Sequence, residues 1–173
     1  MKRMLVVRVD RCLGCRSCEL ACALEHTASR DLEQAIYEVP RPRARVKVSQ
    51  GAQFAIPLQC RQCEDAPCVA ICPTRALHRA DQDSPVFLDH DRCIGCTWCV
   101  LACPFGVIAL DPKGRTVIKC DQCFERVEHG ELPACVSACP TGALQFKALD
   151  DVVAEKREAS LLQIERSLSG DTT

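Results

Sequence analysis

The sequence predicts an α+β fold in which short strands and short helices gather around cysteine groups and one longer helix closes the chain. Three observations predict it. Sixteen cysteines fall into four groups of four. Short β-prone runs flank those groups. Residues 150–168 alone carry apolar side chains at sustained helical spacing. The chain of 173 residues is the size of one domain. Yet only seven residues are aromatic. Without its cysteines the apolar share falls from 47% to about 38%, below the usual level for a globular domain. Ordinary side chains therefore build a weak core, and the cysteines must organise the rest.

Taken in order, Leu5–Val9 reads as a strand entering the first cysteine group. Val46–Val48 and Ala55–Leu58 are strands before the second group, and Val86–Leu88 leads into the third. Val107–Leu110 and Thr116–Ile118 form a hairpin across Asp-Pro-Lys-Gly. Ala143–Phe146 follows the fourth group. In the C-terminal helix, Val153, Leu161, Ile164 and Leu168 share a stripe, with Asp150 or Asp151 as its cap. The expected seat of that stripe is the protein's own body, with docking on a partner as the alternative. The last five residues, Ser-Gly-Asp-Thr-Thr, should fray.

Group I is Cys12, Cys15, Cys18 and Cys22. Group II is Cys60, Cys63, Cys68 and Cys72, and group III is Cys93, Cys96, Cys99 and Cys103. Group IV is Cys120, Cys123, Cys135 and Cys139. Groups I and III have the spacing C-x2-C-x2-C-x3-C, and II and IV differ only by insertions before the third cysteine. Pro73, Pro104 and Pro140 follow groups II, III and IV, whereas Ala23 follows group I and lets a helix continue there. Two-residue steps let a looping backbone present three thiolates to one face of a cubane, and the three-residue step turns the fourth toward another. Soft thiolates also suit zinc. Structural zinc sites, however, combine two separated knuckles, which four cysteines within eleven residues do not resemble. A disulfide scaffold fits poorly with clustered spacing and with an N-terminus that lacks an apolar signal region.

Group pairing is constrained by loop length. Only 20 residues separate Cys72 from Cys93, which favours II with III, leaving I with IV in a nested arrangement. The 16 residues between Cys103 and Cys120 also permit III with IV.

The segments CLGCRSCELAC, CRQCEDAPCVAICP, CIGCTWCVLACPFG and PACVSACPTGAL resemble the four-cluster ferredoxin-like subunits of molybdenum and tungsten oxidoreductases, formate dehydrogenases, hydrogenases and carbon monoxide dehydrogenases. The resemblance covers residues 1–148 and implies two interleaved bacterial-ferredoxin-like modules, I with IV and II with III. It implies four [4Fe–4S] clusters. One would be held by Cys12, Cys15, Cys18 and Cys139, and its neighbour by Cys22, Cys120, Cys123 and Cys135. A third would be held by Cys60, Cys63, Cys68 and Cys103, and the fourth by Cys72, Cys93, Cys96 and Cys99. The modules would span about 1–24 with 115–148, and about 55–114, around an insertion at 25–54 and ahead of a helical tail at 149–173. The implied role is electron transfer between a catalytic metalloenzyme subunit and a redox acceptor. CRSCELACALEHT looks most like subunits paired with carbon monoxide dehydrogenase or tungsten aldehyde oxidoreductase. A flavin- or NAD-linked subunit and further copies of the chain remain open as partners, as do a freely diffusing polyferredoxin and an enzyme-assembly factor.

Other features exclude more than they assign. Net charge is −1, which rules out a general nucleic-acid footprint. Sixteen thiolates and four oxidised cores would take the loaded chain to about −9. No dinucleotide fingerprint, phosphate loop or nucleophile elbow is visible, so no substrate site is expected. The uncharged apolar stretch 97–110 is too short to span a bilayer, and with no visible leader the expected location is the cytoplasm. PRPRARVK at 40–47 reads as a solvated edge or as a docking strip for an acidic surface. His78, His90 and His129 read as surface residues, His26 as a residue near group I that could tune a cluster, and Trp98 as packing beside one.

Overall fold

The computed structural model describes residues 3–169. It is an α+β structure of four two-stranded antiparallel sheets, short helices and one long terminal helix. Strand β1 (Arg3–Val7) pairs with β8 (Leu144–Ala148), Arg3 opposite Ala148 and Val7 opposite Leu144. Alternation puts Leu5 and Phe146 opposite one another on the buried face. The strand ends earlier than the expected Leu5–Val9. A 3₁₀ turn at Val9–Arg11 bends the chain into Cys12, and the Arg8 amide pairs with the Ala143 carbonyl. This sheet ties the entry of group I to the exit of group IV.

Helix α1 (Ser17–Glu25) runs through Cys18 and Cys22, with Ala23 carrying the helix on as expected. The helices of the other groups are short: α3 (Pro67–Ala70), α4 (Trp98–Ala102) and α6 (Ala134–Ser137). Cys72, Cys103 and Cys139 each precede proline, and a residue there avoids helical dihedrals, so those helices stop. Helix α1 packs on α6, and α3 on α4.

Between groups I and II, the short helix α2 (Leu32–Ala35) starts at Asp31, whose carboxylate accepts the Gln34 amide at 3.0 Å. Strand β2 (Lys47–Gln50) then pairs with β3 (Ala55–Leu58). Strand β4 (Leu77–His78), not expected from sequence, pairs with β5 (Phe87–Leu88) and ties the exit of group II to the entry of group III. The expected hairpin forms between β6 (Ala109–Leu110) and β7 (Val117–Ile118). Asp111 closes its turn by accepting the amides of Lys113, Arg115 and Thr116. Helix α5 (Phe124–Glu128) occupies the long spacer of group IV.

There are two hydrophobic cores. One holds Leu5, Val46, Val48, Ala55, Leu144 and Phe146 with Cys18, Cys22, Cys120 and Cys135. The other holds Leu77, Val86, Ile108 and Val117 with Cys68 and Cys99. Among the described residues, seven of the 21 buried apolar residues are cysteines. A third of the buried apolar core is therefore thiol rather than hydrocarbon side chain.

Helix α7 (Leu149–Ser169) follows β8 directly, so Asp150 and Asp151 sit inside its first turn, where they suit the helix dipole, and neither is its cap. It has no buried residue. Its tether is Glu155, which pairs with Arg8 at 3.0 Å and with Lys147. The stripe of Val153, Leu161, Ile164 and Leu168 is exposed and is not covered by the body of the protein as expected. The tail beyond Ser169 lies outside the described residues.

Candidate metal centres

The four C-x-x-C turns share one backbone device. Gly14, Gln62, Gly95 and Gln122, each just before the second cysteine, have φ of 69°, 51°, 66° and 62°. A left-handed residue in a tight turn lets successive N–H groups converge into an anion-binding nest. The amides of Gln62 and Gln122 accordingly donate to Cys60 Sγ at 3.5 Å and Cys120 Sγ at 3.4 Å. The device repeats three residues after the last cysteine of groups II, III and IV, at Arg75, Gly106 and Gly142. At Gly95 the requirement is absolute, because a Cβ would collide with the Arg115 carbonyl.

All sixteen cysteines are free of disulfides. Their thiols interact across groups. Burial raises Cys18 to about 11, and the charges of Cys139 and Cys15 add to the effect. Burial pushes Cys120 to about 12 and Cys123 to about 11, with Cys22 acting on both. Cys135 is raised by burial and then by Cys120, Cys22, Cys123 and Cys18. Burial raises Cys68, with the charges of Cys60 and Cys103 adding to it. Burial raises Cys99 to about 11, followed by Cys68, Cys96 and Cys93. For Cys139 and Cys72, burial is outweighed by backbone amides, led by those of Leu144 and Leu77, and the thiols are lowered. Buried thiols that disfavour each other's ionisation suit a cationic core that displaces their protons. The donor set, sulfur only and in fours, fits iron–sulfur clusters. Cys12 and Cys63 are half-buried, each in its own group's turn.

Sequence reasoning missed the residues that wrap these thiols. In the basic strip Arg41, Arg43 and Lys47 are exposed, as a solvated edge would have them, but Arg45 turns inward. The Arg45 amide donates to Cys22 Sγ at 3.2 Å, and its guanidinium pairs with Asp121. Lys47 reaches Glu19, whose other oxygen accepts the Val48 amide at 2.6 Å. His26 caps α1 against the Cys22 carbonyl at 2.7 Å and meets Asp121 at 3.4 Å. Burial alone would lower its pKa, but Asp121 and Cys22 outweigh it and raise it to about 9. His26, Asp121 and Cys123 lie within 4.8 Å of one another, but Cys123 belongs to the thiol sets above. His78 and His129 bond local carbonyls, and His90 meets Thr116. Trp98 is 53% exposed, so it does not pack in the core.

Residues 52–149 match the family described as the 4Fe–4S dicluster domain, and residues 9–25 match a 4Fe–4S binding domain. An iron–sulfur protein of Rhodospirillum rubrum is 42% identical, over 91% of this chain and 88% of its own length. The thiosulfate reductase electron transfer subunit PhsB of Salmonella typhi is 40% identical, over 82% of this chain and 73% of its own. The electron transport protein HydN of Escherichia coli is 37% identical, over 94% and 99%.

Proposed function

This chain is an iron–sulfur electron-transfer protein of the 4Fe–4S dicluster family, and we propose that it is the electron-carrying subunit of a metalloenzyme complex, with four [4Fe–4S] clusters in two interleaved modules. Each cluster, when bound, takes up and gives back one electron. The chain's own residues hold, order and insulate the four sites.

The observation that carries this reading is the set of cross-group thiol interactions. Those of Cys18 with Cys139, and of Cys22 with Cys120, Cys123 and Cys135, support modules formed by groups I and IV. Those of Cys68 with Cys103 and of Cys99 with Cys68 support the II–III module. The pairing of β1 with β8 and of β4 with β5 supports the same division, with module extents near 1–24 plus 115–148 and 55–114. Cys18 reaches Cys135, Cys60 packs against the core that holds Cys120 and Cys135, and Cys68 reaches Cys99, which supports four ligand sets following one another in a line. The set containing Cys12, Cys15, Cys18 and Cys139 lies at one end, and the set of Cys72, Cys93, Cys96 and Cys99 at the other. Cys15 is exposed at the first end. Leu13 and Leu20 rim that end, and Ile94 and Leu101, at equivalent positions, rim the other. Two apolar-rimmed ends suit contact with two redox partners.

The catalytic partner proposed is a tungsten or molybdenum oxidoreductase. The name of PhsB, an electron transfer subunit, supports an attached role. Among the described residues no helix is long and apolar enough to cross a membrane, and a cytoplasmic site is proposed. The test is elemental analysis of the complex purified anaerobically from its host. About sixteen irons per chain, with tungsten or molybdenum and a second chain, supports the proposal. A lone chain with iron only overturns the subunit role. In the complex, Cys18→Ser should remove one cluster's EPR signal and stop electron delivery, while the partner still turns over with an artificial dye.

A further inference from the structure

Four buried polar residues stand out among the described residues: Thr27, Gln59, Gln62 and Lys119. Gln59 and Lys119 each directly precede the first cysteine of a group, and Gln62 lies in the first turn of group II. Lys119 is 3% exposed. Its ammonium donates to the Val86 carbonyl at 2.6 Å and to the Cys120 carbonyl at 2.8 Å. Gln62 grips the same two residues, donating to the Cys120 carbonyl at 2.9 Å and accepting the Val86 amide at 2.8 Å. Gln59, beside Cys60, is 1% exposed, and neither end of its amide has a partner. These residues join the strand entering group III to the first turns of groups II and IV.

A buried ammonium is normally paired with an anion. Among the described residues no carboxylate lies within ion-pair distance of Lys119. The two carbonyls it grips are those of Cys120 itself and of Val86, which shares a buried core with Cys68. Cys68 and Cys120 belong to the two inner ligand sets, one from each proposed module.

We propose that Lys119 is the shared internal counter-cation of the two inner clusters, favouring the reduced state of both and levelling the crossing between the modules. This rests on the ligand sets proposed above. With four thiolates and an oxidised core of +2 each inner site carries about −2, and one added electron makes it about −3 without any bond made or broken. A fixed positive charge between two such sites stabilises that extra electron on either side. The sign is therefore set: without the cation, both inner potentials fall. Gln62 donates to the same Cys120 carbonyl as the lysine.

The test uses the full chain, anaerobically loaded, as wild type, Lys119→Gln and Lys119→Arg. Iron and sulfide are counted first, and EPR-monitored redox titration follows. The expected result is wild-type iron in all three, two of four midpoints shifted to more negative potential in Lys119→Gln, and no shift in Lys119→Arg. Full iron with unmoved midpoints, or with only one moved, overturns the role of the lysine alone. Wild-type iron well below sixteen per chain overturns the four-cluster reading and this inference together. Should Lys119→Gln not load, wild type carrying ¹⁵N-lysine answers instead. Pulsed EPR should detect a lysine nitrogen coupled to the reduced inner clusters, lost in Lys119→Arg, and absence of that coupling overturns the proposal.

Discussion

The proposed ligand set of Cys22, Cys120, Cys123 and Cys135 and the proposed set of Cys72, Cys93, Cys96 and Cys99 each use one C-x-x-C turn but live in different surroundings. The first four are all buried, roofed by the strap that carries Arg45 and clamped by Asp121 and His26. Of the second four only Cys99 is buried, no strap covers them, and Ile94 and Leu101 stand open beside them. The local motif decides which cluster can be built. The segment inserted between motifs decides how far that cluster is shut away from water. An inner site gains from being closed, whereas a terminal site must be approachable by a partner.

The largest expected effect comes from breaking one site of each kind. Cys135→Ser and Cys96→Ser should each remove about four irons. Cys135→Ser should also cost far more stability, because its thiol lies among Leu144, Phe146 and Val48 in the larger core. Thermal unfolding of the two loaded variants measures this. Equal losses in melting temperature would show that the strapped site does not carry more of the fold. Next comes the strap itself. Arg45→Ala removes a part-buried ion pair with Asp121, for a loss of about 2 kcal/mol. It should also speed chelator removal of iron from the strapped site toward the rate of the open one. Stopped-flow chelation, fast and slow phases resolved, is the measurement, and an unchanged slow phase would mean the strap is not the barrier.

A smaller effect is expected within the open site. Gly95→Ala forces a Cβ onto the Arg115 carbonyl at a left-handed position, for about 1–2 kcal/mol. Gly14→Ala, whose Cβ would stand 3.2 Å from the Ala55 Cβ and 3.5 Å from Gln50 Oε1, clear of the sub-3 Å clash at Gly95, should cost less. Denaturant melts of the two loaded variants compare them, and the reverse order would contradict the packing described here.

What was legible in the sequence follows from the range of the forces involved. The cysteine turns are local, so spacing alone points to sulfur-ligated clusters. Strand β3 and the Asp111 turn are local too, and both stand where expected. Strand β4 is two residues long and exists only because group III returns to meet it, so no periodicity announces it. The strap was misread because an arginine in a basic run is usually solvated. Its partner Asp121 lies 76 residues away, beyond any local pattern. Lys119 left a faint trace. It continues the alternation of buried Val117 and half-exposed Ile118, which places a lysine on an inward position.

The smallest effect concerns the one element that neither region claims. Helix α7 has the apolar stripe of a packed helix but no buried residue, and its side-chain ion pairs to the body end at Glu155. Truncation after Glu158 keeps that tether and removes Leu161, Ile164 and Leu168, all exposed. A stripe already in water contributes nothing to folding by being there, so the loss should be no more than about 0.5 kcal/mol. Iron content should stay at the wild-type level. Denaturant unfolding of the loaded, truncated chain is the measurement. A loss above about 1 kcal/mol would mean that the stripe folds back on one of the two cores in solution. Because α7 runs straight out of β8, which pairs with β1 at the entry to group I, that packing would fall on the strapped half and widen the contrast between the two sites.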